Sequence, residues 1–396
     1  MRVALALACA LAAPATAQHA GAQNLSVPKQ HLALYQALDA QLSAFQARLP
    51  AFIQRQPPLL RGAPLAALNC EHAADLSKEA RWQAARRELD GLRRAGAQAI
   101  VLETCYPLLT PEFGDPRELL ERYANLANEV RLRELKLLVR QRALPALGGI
   151  AETRRYYREL THQRLASERY AEAKSIVLAL QPDYLTLVSD PRADSAGLTL
   201  KPRDWRTYLQ RTSTDLRREL GDLVPPLGAG LGMWGDTATL EAFAAVPGLA
   251  YLDLRFYPAT AGTEDLLGRL VTWPQRIRAI DPGKRILLSE AWLYKSTAEE
   301  PFKGTAEVNA LAREAFGFWS PLDVRFLRAT AHAARVSGIE LLAVSRPKYL
   351  FAYLDFFDPA TYRARALVLI DLAAQRAAIA MERGELTDTG RAFGAM

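Results

Sequence analysis

The chain has 396 residues, which is beyond the ~100–200 of an ordinary domain and leaves either two or three small domains or one (β/α)8 barrel of ~250 residues with additions. Half of the residues are apolar, 23% are charged, and Gly and Pro contribute 23 each, a composition that excludes disordered, collagen-like and low-complexity chains. The formal charge of +7 rests mostly on arginines that alternate with acidic residues along helical segments such as 81–94 and 117–133; this reads as a solvated, ion-paired face and argues against a nucleic-acid partner.

In chain order, Arg2, the apolar run 3–14 and Ala15-Thr16-Ala17 predict a signal peptide over 1–17, cleaved before Gln18, and hence a periplasmic or secreted protein. Cys9 follows Ala6-Leu7-Ala8, a poor match to a lipoprotein signal. No later run reaches the ~18–20 apolar residues of a membrane span, so none is expected. Residues 18–60 read as a helical extension, amphipathic over 31–55 and ending at Pro57-Pro58, too short for a core of its own and therefore packed on the outside or the bottom of the larger domain formed by the rest of the chain.

From 61 to 396, short apolar or β-branched runs alternate with segments of helical period, the pattern of successive βα units. The strand candidates are 64–69, 97–104, 135–140, 184–189, 227–233, 250–256, 285–289 and 339–344. Helix starts are marked by Ser77 or Asp75, by Asp115-Pro116, by Asp204 and by Thr237. Two helices, 152–165 and 167–180, fit between the third and fourth strands, and 361–383 is the eighth outer helix. Eight such units predict an α/β fold, a (β/α)8 TIM barrel. A doubly wound sheet is the alternative, but Leu68-Asn69-Cys70-Glu71-His72 lacks the Gly-rich phosphate turn that such folds place after the first strand. Cys70 and Cys105 follow neighbouring strands and either form a disulfide or stay as two buried thiols.

Catalytic groups of a barrel sit at the C-terminal ends of its strands, which fixes the residues to consider. Asn69, Glu71 and His72 follow the first strand, Glu103 and Tyr106 the second, Arg140 and Arg142 the third, and Asp190 the fourth. Trp234 follows the fifth, Arg255 and Tyr257 the sixth, Glu290 and Trp292 the seventh, and Ser345 and Arg346 the eighth. Carboxylates beside aromatic faces are the inventory of a carbohydrate site, where acids do the acid, base and nucleophile work and rings stack on sugars. The five histidines show no HxH or HExxH spacing and no G-x-S-x-G elbow is present, so neither a metal, a cofactor nor a serine nucleophile is expected.

Ser189-Asp190-Pro191 and Leu288-Ser289-Glu290-Ala291-Trp292 together resemble the two carboxylate motifs of the clan A retaining glycoside hydrolases, (β/α)8 enzymes that include endo-galactanases and cellulase-like families. Asp253-Leu254-Arg255-Phe256-Tyr257-Pro258 is similar to the strand-six segment whose tyrosine holds the nucleophile. The resemblance implies Glu290 as nucleophile, Asp190 as acid/base and Tyr257 as the group that orients Glu290. Asn69, Glu71, His72, Glu103, Tyr106, Trp234, Arg255, Tyr257 and Trp292 would contact a poly- or oligosaccharide. Asp190 departs from the clan's glutamate and Arg255 from a common histidine; Arg255 would pair with Glu290 or Glu103, or bind an acidic sugar. A non-catalytic periplasmic glycan-binding or polysaccharide-assembly protein on the same barrel is the alternative reading.

Overall fold

The computed structural model describes residues 26–50, 58–113, 115–144, 150–259, 265–297, 300 and 305–396. Eight parallel strands close a barrel in chain order: β1 (Leu60–Pro64), β2 (Ala99–Tyr106), β3 (Lys136–Ala143), β4 (Tyr184–Thr186), β5 (Leu227–Gly232), β6 (Tyr251–Phe256), β7 (Arg285–Ala291) and β8 (Leu341–Val344). Because both faces of such a strand are covered, its residues divide by period two between two apolar clusters. Ile100, Leu102, Leu137, Val139, Leu252, Leu254, Ile286 and Leu288 join the core beneath the helices. Ala99, Val101, Leu138, Tyr184, Tyr251, Leu287, Leu341 and Ala343 fill the barrel itself.

The surrounding helices are α1 (Lys29–Arg48), α2 (Glu79–Arg94), α3 (Pro116–Leu132), α4 (Ala151–Arg158), α5 (His162–Leu180), α6 (Pro191–Asp194), α7 (Pro202–Leu220), α8 (Thr237–Ala244), α9 (Leu266–Ile280), α10 (Thr305–Arg313), α11 (Ser320–Val336), α12 (Pro359–Tyr362), α13 (Ala366–Glu382) and α14 (Asp388–Gly394). Asp115 caps α3 as expected, its carboxylate accepting from the Arg117 N–H at 3.0 Å. At α8 the cap is Asp236, one residue ahead of Thr237, accepting from the Thr239 N–H at 2.6 Å. Asp204 lies inside the first turn of α7 and accepts from the Lys201 N–H at 2.9 Å, and neither Ser77 nor Asp75 caps α2, which Lys78 precedes.

The first strand lies earlier than 64–69, where the chain instead turns through a short 3-10 helix at Ala66–Leu68. Its segment Leu60-Arg61-Gly62-Ala63-Pro64 has no apolar run to announce it. An added Cβ at Gly62 would meet the Ala343 Cβ of the neighbouring strand β8 at 3.0 Å, a tight contact that favours glycine there. α1 ends at Arg48, short of residue 55, and buries Leu38, Leu42 and Phe45 against α11 and α9. Arg325 of α11 pairs with Asp39, and Arg48 pairs with Asp265. Cys70 and Cys105 are joined by a disulfide that ties the loop after β1 to the end of β2. No helix among the described residues is long and apolar enough to cross a membrane. The segment read as a signal peptide, 1–17, lies outside the described residues.

Candidate active site at the barrel mouth

Above the apolar layer the inward positions become polar. Thr186 of β4 hydrogen-bonds the Tyr251 hydroxyl at 3.0 Å and donates to Asp253 at 3.1 Å, and Asp253 accepts from the Ser289 N–H at 3.2 Å. Burial raises the Asp253 carboxyl against the pull of Arg140. β5 presents only glycines to this interior. At Gly228 a Cβ would run into the Tyr251 ring, and at Gly230 into the backbone of Ser189. The bareness of Gly228 leaves room for the Tyr251 ring of β6, and that of Gly230 for the close approach of the chain after β4.

The next level carries charge. Arg140 and Arg142 of β3 are two residues apart and share one face of their strand. Arg140 donates to Glu103 of β2 at 2.7 Å, to Ser289 Oγ at 2.9 Å and to the carboxylate of Glu290. Glu103 also takes Arg142 at 3.1 Å and the Cys70 N–H at 3.1 Å. Burial alone would push the Glu103 carboxyl up; Arg142 and Arg140 overcome it and hold the group at about 2. Arg140 and Glu103 are each 2% exposed in their side chains, so their charges are sustained by one another.

Glu290 reaches this network through a bulge. β6 pairs Leu254 with Leu288 but Arg255 with Glu290, leaving Ser289 as an extra residue on β7. Strict alternation would turn Glu290 outward after Ser289; the inserted residue brings both onto the inner side, where both bond Arg140. Arg140 is the hydrogen-bond partner of the Glu290 carboxylate, a role the resemblance gives to Tyr257. Tyr257 instead stacks on Tyr294, ring centres 4.9 Å apart.

Asp190 follows β4 and caps α6, its Oδ1 accepting from the Arg192 N–H at 2.9 Å, while Oδ2 pairs with Arg255. Burial opposes its ionisation, but Arg255 and the two backbone N–H groups of Arg192 and Ala193 outweigh burial and leave the carboxyl below its ordinary value. In this geometry Asp190 is a carboxylate with both oxygens engaged. It can accept a proton and has none to give.

The candidate residues divide between two cavities. Asp190, Trp234, Arg255 and Tyr257 line one of about 250 Å3 over β4 to β7, together with Tyr294 and Arg192. Asn69, Glu71 and His72 line another of about 310 Å3 beside β1 and β8, together with Arg346 and Lys348. Burial and Arg346 lower the Lys348 ammonium to about 8, and burial followed by Arg81 lowers His72. Glu103 and Glu290 belong to the ionic network of the barrel interior.

Two candidates are not brought to the mouth. Tyr106 projects outward, fully buried, stacks on Tyr157 and donates its hydroxyl to Glu168 of α5 at 2.5 Å, because it falls on the helix-facing phase of β2. Trp292 is fully buried against Tyr349, ring centres 5.6 Å apart, so no ring face is open to a ligand. Arg140 was among the strand-end residues of the sequence reading but was given no role there, and Tyr294, Arg192 and Lys348 are site residues that it did not select. Arg140 was detectable as a charge at an inward strand end, whereas Tyr294 lies in a loop, Arg192 in the short helix α6 and Lys348 in a 3-10 turn after β8, none with a distinguishing spacing.

The fold and the site define a (β/α)8 barrel whose C-terminal mouth carries two guanidinium-paired carboxylates on β7 and after β4. No family model matches the chain, and no curated protein matches it. Among solved structures, it is similar to GH5_18 from Bifidobacterium longum in complex with Manb1-4GlcNAc, at 12% identity and TM-score 0.49, over 85% of this chain and 77% of that one. It is similar to an endo-1,4-beta-D-mannanase from Thermotoga petrophila at 11% identity and TM-score 0.46, over 80% and 99% of the two chains. It is also similar to the virulence factor SghA from Agrobacterium tumefaciens at 12% identity and TM-score 0.46, over 79% and 92%.

Proposed function

We propose that the barrel mouth binds a poly- or oligosaccharide and cleaves it by a retaining reaction in which Glu290 is the nucleophile. The observation that carries this reading is the bulge in β7, which turns Glu290 inward beside the guanidinium of Arg140. The Glu290 carboxylate attacks the anomeric carbon, the glycosidic C–O bond breaks, and the departing oxygen takes the proton carried by Asp190 in its acid form. Water then attacks the glycosyl–enzyme ester, giving its proton to the Asp190 carboxylate and restoring Glu290. The pinned state of Asp190 suits this second step better than the first, in which a proton must be delivered. We further propose that the protein works after export, in the periplasm or outside the cell.

The roles are separated by leaving groups. An aryl glycoside with an activated leaving group needs no acid, so wild type should release the aryl group far faster than it cleaves a natural glycan of the same sugar. Glu290→Ala should lower both by roughly 10³-fold or more, since no other group forms the ester. Asp190→Ala should spare the aryl burst and slow its steady state. The engagement of both Asp190 oxygens also favours a second reading, a mouth that binds glycans without turnover. That reading requires wild type to release no aryl group, while Glu290→Ala changes only affinity.

A further inference from the structure

We propose that the cavity over β4 to β7 takes the carboxylate of a uronic acid unit, which replaces Asp190 as the partner of Arg255. The inference rests on the saccharide reading and names its substrate class.

The first argument is the unused hydrogen-bonding capacity of the cavity. Both of its carboxylates already face donors: Asp190 holds the Arg192 N–H at 2.9 Å and Asp236 holds the Thr239 N–H at 2.6 Å and its hydroxyl at 3.1 Å. The Trp234 indole N–H is directed to the Tyr257 carbonyl at 3.0 Å. Arg255 is the opposite case. It is nine-tenths buried, its Nε has no partner, and one terminal nitrogen binds Asp190 while a guanidinium offers five N–H donors. Arg192 lines the same cavity. What the cavity holds in excess is donor capacity, on the guanidinium of Arg255.

The second argument is access and shape. The Asp190 side chain is 27% exposed against 11% for Arg255, so the pair stands at the edge of the cavity, with its acidic member toward solvent. A carboxylate entering there meets the planar fork that suits it. The stacked Tyr257 and Tyr294 rings lie in the same cavity and offer the apolar surface on which a sugar ring packs.

The consequence is chemical. Arg255 is held by Asp190, with Glu290 and Asp194 the next carboxylates in its field. Once a substrate carboxylate takes the guanidinium, Asp190 loses its counter-ion and gains a negative neighbour, and both changes favour its protonation. The proton comes from solvent, resides on Asp190 and passes to the departing glycosidic oxygen. The acid form arises on the arrival of an acidic sugar.

The test uses the full chain on an array of uronate oligosaccharides matched with the same oligosaccharides reduced to neutral sugars, followed by titration calorimetry of the pairs that bind. Wild type should favour the uronate member by about tenfold or more. Arg255→Gln should remove the preference, so that the uronate and neutral members bind alike. Asp190→Asn, which deletes the competing anion and keeps the cap, should strengthen uronate binding. Arg211→Gln, an equal change of charge on the outer face of α7, should leave the preference intact. Equal binding of both members, or a preference that survives Arg255→Gln, overturns the inference while leaving the saccharide reading standing if Glu290→Ala still abolishes turnover. Binding of neither member overturns both.

Discussion

Arg140 serves Glu103 and Glu290 from the floor of the mouth. This partner is one that the sequence reading assigned to neither acid, for which it offered Arg255. Glu290 is legible as a strand-end carboxylate, but its partner is 150 residues away and reaches it through the barrel interior. Such a contact depends on the register of non-adjacent strands, which residue spacing does not encode. The same holds for Asp190, whose pairing with Arg255 spans 65 residues and alters the role its position suggests. A different buried acid shows what an unbalanced charge does here. Glu172 on α5 is 1% exposed, and burial pushes its carboxyl from 4.5 to about 7, with Arg169 pulling the other way. Below about pH 4.5 both folded and unfolded chains hold this proton. Between 4.5 and 7 the folded state keeps it while the unfolded state releases it, so this residue's contribution to stability falls as pH rises through that window. Glu172→Gln should therefore stabilise the protein at pH 8 by on the order of 2–3 kcal/mol. The difference should vanish near pH 4, as read from denaturant unfolding at the two pH values.

Elements were legible where their pattern is regular. Alternation along β2, β3 and β6 gives both the strands and their inward phase, which is why Glu103, Arg140 and Arg255 could be aimed at the interior. β1 was displaced because a strand that presents Gly62 to Ala343 carries no apolar signature, and the β7 bulge was invisible because one inserted residue leaves composition unchanged. Helix α1 tests how far an added element shares in the barrel's stability. Phe45 is 1% exposed, so Phe45→Ala should cost about 3–5 kcal/mol if the extension unfolds with the barrel. Arg325→Gln removes a pair whose side chains are 33% and 42% exposed and should cost less than about 1 kcal/mol. Parallel denaturation of the two variants checks the contrast; equal effects would mean that α1 is held by charge.

At the scale of the molecule, the closed order of eight strands was readable because the alternation of apolar runs and helices repeats eight times, while the doubly wound alternative lacked its usual phosphate turn after the first strand. The division of the mouth into two cavities was not readable, since it depends on how loops fold over the strand ends. The Cys70–Cys105 bond ties the loop after β1 to the end of β2 beside Glu103. Replacing both cysteines with alanine should lower stability by about 2–4 kcal/mol, and the oxidised protein should take up alkylating reagent at these positions only after reduction. Labelling before reduction would show the bond to be absent. The central claim is that Glu290 becomes covalently attached to a sugar, and intact-mass measurement tests it most directly. Wild type incubated with 2-deoxy-2-fluoro glycosides bearing activated leaving groups, uronate forms among them, should gain the mass of one fluorosugar, and peptide mapping should place it on Glu290. Failure of every such glycoside to label the protein, or a label on any other residue, would contradict the assignment.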